Sequence, residues 1–207
     1  MLDYLFSQYK DYPIHEVYLE LLAVFFGLCS VWFAKKDNIW VFPTGLINTS
    51  IYAYLLWQWH LLGDSMINVY YFMMSIYGWY HWTRKKDDVF EFPISLMTKK
   101  EQLMAILIFT LTIIFVVVVY LYFNKFTSWY SYLDTVLTAI FFVGMWLMAK
   151  RKIENWIFWI VGDLLSIPLY LAKGYTFTSF QYLVFTIIAV FGYLEWKKIL
   201  NNSLQKS

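Results

Sequence analysis

An aspartate, Asp163, lies in the middle of a long apolar segment of the sequence. Around it, aromatic and polar residues recur at intervals of three and four, as Trp156, Trp159, Asp163, Ser166 and Tyr170. Such intervals place all five side chains on one face of a helix, with an aliphatic face opposite. We expect the polar and aromatic face to point into a helix bundle and to supply substrate-binding residues.

A carboxylate at the centre of a bilayer costs at least about 2.5 kcal/mol to insert. No Lys, Arg or His occurs at matching depth in the predicted helices. Asp163 is therefore expected to be protonated, hydrogen-bonded to hydroxyls or amides, or paired with a cation that arrives from outside the protein. Because tryptophan rings attract cations, Trp156 and Trp159 beside Asp163 would suit an organic cation with a flat ring. The alternative is a structural aspartate that is hydrogen-bonded across helices, with tryptophans that fill space.

Three other predicted helices carry polar residues at helical spacing. Asn48 lies on the second helix, Asn68 and Tyr71 on the third, and Gln181 on the seventh. Amide side chains both donate and accept hydrogen bonds, so they can line a polar interior or join helices to one another. No catalytic motif, metal-ligand spacing or cofactor fingerprint occurs in the sequence. We expect a protein that is not an enzyme and that needs neither metal nor cofactor.

The composition is typical of an integral membrane protein, since 61% of the 207 residues are hydrophobic and only 14% are charged. Apolar runs long enough to cross a bilayer recur along the chain and predict seven helices in one membrane domain, 1–207. The predicted spans are about 17–34, 39–59, 66–83, 102–123, 133–149, 154–172 and 176–196. A formal net charge of only +2 argues against a nucleic-acid partner.

Basic residues are concentrated at one side of the predicted bundle. Of the 16 lysines and arginines, 13 are predicted on this side, and the exceptions are Lys10, Lys125 and Lys173. The side rich in lysine and arginine is normally cytoplasmic. We therefore expect the N-terminus outside the cell and the C-terminus in the cytoplasm.

The sequence contains an internal repeat with an offset of 114 residues. Four pairs share this offset: Gly78 and Gly192, Trp82 and Trp196, Trp32 and Trp146, Glu20 and Asp134. With small shifts, NIW at 38–40 also overlies ENW at 154–156.

The repeat predicts the architecture. Repeat one is expected at about 17–85 and repeat two at about 133–198, with a linker helix at about 102–123. Because each repeat has three helices, a single linker helix gives both repeats the same orientation. The predicted fold is an all-α integral membrane protein with two parallel three-helix repeats, a 3+1+3 arrangement of the kind found in transporters.

Four segments of the sequence resemble the bacterial nicotinamide riboside transporter family, PnuC. They are ELLAVFFGLCSVWFAKKDNIWVFPTG, INVYYFMMSIYGWYHW, KIENWIFWIVGD and FTSFQYLVFTIIAVFGYLEWKK. The resemblance covers about residues 17–200 and implies seven helices, similar to the SWEET sugar carriers but with full-length duplication. It also implies a homotrimer in the bacterial inner membrane, with a separate path in each protomer.

For function, the resemblance implies facilitated diffusion of nicotinamide riboside, which a cytoplasmic vitamin kinase traps by phosphorylation. Trp156 and Trp159 match the family's W-x-x-W motif, which is expected at the substrate. Asn48, Asn68, Tyr71 and Gln181 match polar positions of the binding region.

Asp163 departs from the family pattern W-x-x-W-x-x-x-N, which has asparagine at this position. A carboxylate there favours a cationic vitamin, so nicotinamide riboside and thiamine both remain open, whereas neutral riboflavin fits less well. A membrane scaffold subunit that transports nothing is the alternative from a different class of protein.

Overall fold

The computed structural model describes residues 13–58, 62–86, 89–90, 92–124, 126, 128–172 and 176–205. Seven α-helices occur within these residues, as the sequence predicted. They are α1 (Ile14–Lys35), α2 (Val41–Gln58), α3 (Leu62–Thr83), α4 (Lys99–Tyr122), α5 (Trp129–Ala149), α6 (Asn155–Ala172) and α7 (Thr176–Leu204). A short antiparallel hairpin of β1 (Lys85–Lys86) and β2 (Val89–Phe90) follows α3.

Four of the helices, α1, α4, α5 and α6, are long and apolar enough to cross a membrane. The helix bounds differ from the predicted spans by a few residues, except that α7 continues to Leu204 instead of ending at 196. Hydropathy reports only the part of a helix that lies in the bilayer. The last turns of α7 are polar and contain neither glycine nor proline, so the helix continues past the apolar segment. Residue 59 and the basic residues Lys10, Lys125, Lys173 and Lys206 lie outside the described residues.

The chain divides into two compact units, Met1–Thr83 (unit one) and Arg84–Ser207 (unit two). In unit one, α1 packs against α2, and α2 against α3. In unit two, α4 packs against α5, α5 against α6, and α6 against α7. Each unit is thus a chain of helical hairpins in which neighbours in sequence are neighbours in space.

The turns that follow α1 and α5 have the same geometry. Asp37 and Arg151, which are 114 residues apart, both adopt a left-handed backbone, with φ of 51° and 54°. The backbone N–H of Asp37 donates to the carbonyl of Ala34 (3.0 Å), and that of Arg151 donates to the carbonyl of Met148 (2.9 Å). The turn that joins α1 to α2 therefore has the same backbone geometry as the turn that joins α5 to α6.

Buried aromatic pairs recur with the same offset. In unit one the rings of Phe42 and Trp82 meet edge to face, with centroids 5.0 Å apart at 89°. In unit two Trp156 and Trp196 meet in the same way, at 5.6 Å and 89°. Phe42 therefore corresponds to Trp156 without any shift. The offset of 114 residues likewise pairs Trp40 with Glu154 in the sequence, without the shift that overlays NIW on ENW.

A network of polar contacts fixes the start of α4 in unit two. Thr98 and Glu101 form a capping box, in which the Thr98 hydroxyl accepts from the Glu101 N–H and the Glu101 carboxylate accepts from the Thr98 N–H. The same carboxylate lies 3.4 Å from the Lys150 ammonium and 3.0 Å from that of Lys152. Ser95 adds two backbone hydrogen bonds to the turn between α5 and α6. The start of α4 is thus joined to that turn.

Candidate functional site

The two faces of α6 differ as the sequence predicted. On the aliphatic face, Ile157, Leu164 and Leu171 are 46%, 51% and 53% exposed. On the polar face, Asp163 is 3% exposed and Ser166 is completely buried. The prediction that the polar face points into the bundle is confirmed for unit two, where the aliphatic face is exposed.

Proline does not interrupt α6. Proline has no N–H to donate to the carbonyl of Leu164. The helix nevertheless runs through Pro168 to Ala172. One residue earlier, the carbonyl of Ile167 accepts a hydrogen bond of 2.9 Å from the hydroxyl of Ser179 on α7. This contact ties the second half of α6 to the neighbouring helix.

Trp156 lies in the packing between α6 and α7. Its side chain is 1% exposed, and its ring meets Trp196 edge to face. It also lies directly over Gly192, where a Cβ would come within 2.6 Å of the indole. The indole N–H has no acceptor among the residues that the structure describes. The first tryptophan of W-x-x-W is therefore covered in this structure.

Trp159, by contrast, is half-buried and takes part in a series of near-parallel rings that we call the aromatic column. Its ring stacks on Phe141 of α5, with centroids 5.5 Å apart at 29°. Phe141 is in turn nearly parallel to Tyr182 of α7, at 6.2 Å and 12°. Tyr182 then stacks on Tyr170 of α6, at 5.1 Å and 26°. The aromatic column thus consists of Trp159, Phe141, Tyr182 and Tyr170.

Trp159 and Tyr170 were predicted from the sequence, whereas Phe141 and Tyr182 were not. The chain has 19 phenylalanines and 18 tyrosines, so a single aromatic residue on a predicted helix carries little information. Tyr182 directly follows the predicted Gln181, and this adjacency was the one available signal. Phe141 had none, because its role depends on how α5 packs against α6.

Asp163 lies between Trp159 and Tyr170 along the polar face of α6. Among the residues that the structure describes, no lysine or arginine forms an ion pair with it. The neighbouring hydroxyl of Ser166 donates to the backbone carbonyl of Gly162 at 2.8 Å. At the equivalent place in unit one stands Thr49, whose hydroxyl donates to the carbonyl of Gly45 at 2.9 Å. Unit two therefore has a carboxylate where unit one has a neutral hydroxyl that its own helix satisfies.

The remaining predicted residues lie on other helices. The amide of Asn48 on α2 donates to the carbonyl of Ala23 on α1 at 2.7 Å, so it joins two helices of unit one. Asn68 and Tyr71 are half-buried on α3 of unit one, and Gln181 is half-buried on α7 of unit two. The amides were expected either to line a polar interior or to join helices, and the Asn48 N–H joins helices. A binding role for Asn68, Tyr71 and Gln181 stays a prediction.

Comparison with known proteins places the chain in a family. The family described as nicotinamide mononucleotide transporter matches residues 17–198. The nicotinamide riboside transporter PnuC of Escherichia coli is 22% identical over 202 residues, covering 86% of this chain and 84% of the relative. The riboflavin/roseoflavin transporter RibM of Streptomyces davaonensis is 23% identical over 184 residues, covering 88% and 85%.

A solved structure, described as the crystal structure of the vitamin B3 transporter PnuC, has the same fold. It matches with a TM-score of 0.68 at 23% sequence identity, over 97% of this chain and 90% of that chain. The family match covers most of the chain, and the fold agrees with it. As its resemblance to PnuC predicted, the chain belongs to the nicotinamide mononucleotide transporter family.

Proposed function

We propose that this protein carries nicotinamide riboside across the bacterial cytoplasmic membrane by facilitated diffusion. The observation that carries the proposal is the polar face of α6, where Asp163 is buried without an ion pair from the described residues and lies beside Trp159. Nicotinamide riboside contains a pyridinium ring, which is both flat and cationic. A carboxylate and an indole ring face complement these two properties.

The proposed binding residues in unit two are Trp159, Asp163, Ser166, Tyr170 and Gln181. In this proposal Asp163 neutralises the positive charge and Trp159 stacks on the ring. Ser166 and Tyr170 continue the same face, and the Gln181 amide serves the ribose hydroxyls, which both donate and accept hydrogen bonds. No enzymatic step is part of the proposal.

Two other vitamins are alternatives. Thiamine has a cationic thiazolium ring and would satisfy the same carboxylate. Riboflavin is neutral, but the similarity to RibM extends over as much of the chain as the similarity to PnuC of Escherichia coli. Asp163 favours a cation over riboflavin, because a neutral ring would leave the buried carboxylate without a counter-charge.

We also propose the 3+1+3 layout, with parallel repeats joined by α4. It is supported by the equal turns at Asp37 and Arg151, and by the matching aromatic pairs of the two units. From the family resemblance we further propose a homotrimer, and trapping of the imported vitamin by a cytoplasmic kinase.

Uptake by proteoliposomes tests the proposed function. Labelled nicotinamide riboside, thiamine and riboflavin are offered to the wild type, to Asp163→Asn and to the control Glu20→Gln. We expect uptake of nicotinamide riboside by the wild type. Asp163→Asn should weaken its binding about tenfold, or about 1.4 kcal/mol, because the neutral amide lacks the counter-charge. Glu20→Gln should stay within about threefold of the wild type, about 0.7 kcal/mol.

The outcomes separate the parts of the proposal. Uptake of riboflavin alone would contradict the argument from charge while leaving a vitamin carrier. If none of the three vitamins enters the proteoliposomes and none binds the purified protein, the proposed carrier function is wrong. The membrane scaffold is then the better interpretation.

A further inference from the structure

The ring of Phe141 occupies a position within the aromatic column that differs from that of the other three rings. It lies between Trp159 and Tyr182 and is tilted by 29° and 12° from their planes. Both centroid distances, 5.5 Å and 6.2 Å, are typical of offset-stacked aromatic rings. A flat ring is thus already stacked on the tryptophan that the proposed substrate would use.

Glycine makes this position of Phe141 possible. Gly162, directly before Asp163 on α6, faces the Phe141 ring so closely that any Cβ there would overlap the ring. The ring therefore lies against the backbone of α6 beside the proposed counter-charge. Phe141 is half-buried, so its ring is not enclosed on all sides.

The equivalent contact in unit one is reversed. Gly27 stands at the position of Phe141, and Asn48 stands at the position of Gly162. The Asn48 amide nitrogen lies 2.8 Å from where a Gly27 Cβ would be. Unit one therefore has no ring at this place, and the inserted ring belongs to the unit that carries Asp163.

We propose that Phe141 occupies the slot of the substrate's flat ring in the substrate-free protein and that the substrate displaces it on binding. The inference rests on the proposed function, which it deepens by naming a residue that competes with the substrate. A pyridinium ring has the size and shape of a phenyl ring, so it fits between the same two planes. The exchange of a neutral ring for a cationic one adds the attraction of the Trp159 face and of Asp163.

Displacement has a measurable consequence for affinity. When only a fraction of a protein is in the binding-competent state, its apparent Kd is the intrinsic Kd divided by that fraction. The inserted Phe141 ring makes the open slot a minor state. Removal of the ring should therefore tighten binding, whereas removal of a ring that stacks on the substrate should weaken it.

The test compares Phe141→Ala, Phe141→Leu and Trp159→Ala by calorimetric titration of the purified full-length proteins with nicotinamide riboside. We expect Phe141→Ala to lower the Kd about tenfold and Trp159→Ala to raise it about tenfold. Phe141→Leu keeps most of the side-chain volume but no flat ring, and it should lower the Kd about threefold. Phe142→Ala, which removes a buried phenyl ring from the next position of α5, is the matched control and should not tighten binding.

Each outcome decides the inference. Tighter binding by Phe141→Ala or Phe141→Leu, in protein as monodisperse as the wild type, supports displacement. A Kd equal to or above that of the wild type in every Phe141 variant that folds overturns it and makes Phe141 a fixed wall. If the alanine variant does not fold, the leucine variant alone decides. If the wild type itself does not bind the vitamin, the proposed function is what fails.

Discussion

Two tryptophans of one motif have different surroundings. Trp156 is 1% exposed and packs on Trp196, whereas Trp159 is half-buried in the aromatic column. Unit one has Phe42 at the place of Trp156, where it makes the same edge-to-face contact with Trp82. A phenyl ring can therefore make the same edge-to-face contact, and the two tryptophans should respond differently to mutation.

We expect Trp156→Phe to reduce stability more than affinity. The smaller ring leaves a void over Gly192, which should lower the free energy of unfolding by about 1–2 kcal/mol. The Kd for nicotinamide riboside should stay within about threefold of the wild type. The thermal unfolding midpoint and a titration of the same preparation measure the two effects. A tenfold loss of affinity with an unchanged midpoint would instead show that the Trp156 indole binds the substrate.

At the residue scale, the sequence predicted which side chains share a helix face, but not which side chains of other helices they contact. Helical spacing was enough to place Asp163 and Ser166 on the interior side of α6, because a helix fixes which of its residues share a face. It was not enough to bring Phe141 to Trp159. That contact requires the Gly162 gap and the packing of α5 on α6, which one helix's spacing does not contain.

At the scale of elements, α4 is fixed to the turn between α5 and α6. The carboxylate of Glu101 has two roles there, since it completes the capping box with Thr98 and pairs with Lys150 and Lys152. These pairs are partly buried, with side-chain exposures between 11% and 26%. They should therefore contribute to stability more than fully exposed ion pairs.

Glu101→Gln separates the two roles, because glutamine can still complete a capping box but carries no charge. We expect a loss of about 1 kcal/mol, seen as a fall of about 2–4 °C in the thermal unfolding midpoint. The loss should shrink in 1 M salt, which screens the pairs in the wild type. Lys100→Gln, at an exposed position of the same turn, is the control and should change the midpoint little. Equal effects of the two variants would refute a specific role for Glu101.

The helices themselves were largely predictable, because apolar runs and basic clusters mark where a chain leaves the bilayer. The capping box and the extension of α7 were not, since both lie in polar sequence that hydropathy treats as loop. The sequence predicted a repeat with an offset of 114, and the structure adds ring contacts that recur at this offset. Phe42 and Trp156 are different residue types, and only their shared edge-to-face geometry makes the correspondence visible.

At the scale of the whole molecule, single contacts of unit one recur in unit two at the offset of 114 residues. The hydroxyl of Ser65 donates to the carbonyl of Ala53 at 3.0 Å, and 114 residues later that of Ser179 donates to Ile167 at 2.9 Å. Lysines lie over tryptophans with the same offset, Lys36 over Trp32 at 5.2 Å and Lys150 over Trp146 at 5.3 Å. Tryptophan and lysine together are typical of the boundary between membrane and water.

These lysine–tryptophan contacts lie at the ends of α1 and α5, where the basic clusters of the sequence are. We therefore predict that the ends of α1 and α5 face the cytoplasm, with the N-terminus outside. Labelling with a membrane-impermeant maleimide tests the prediction in a Cys29→Ser background, since Cys29 is the chain's one cysteine. Gln58→Cys, at the exposed end of α2, should react in intact spheroplasts. Ser203→Cys, exposed near the end of α7, should react only after lysis, because crossing from Gln58 to Ser203 requires an odd number of spans. If Ser203→Cys reacts before lysis and Gln58→Cys does not, the orientation is the reverse of the one predicted. If both react before lysis, an even number of spans separates them, which contradicts the parallel repeats.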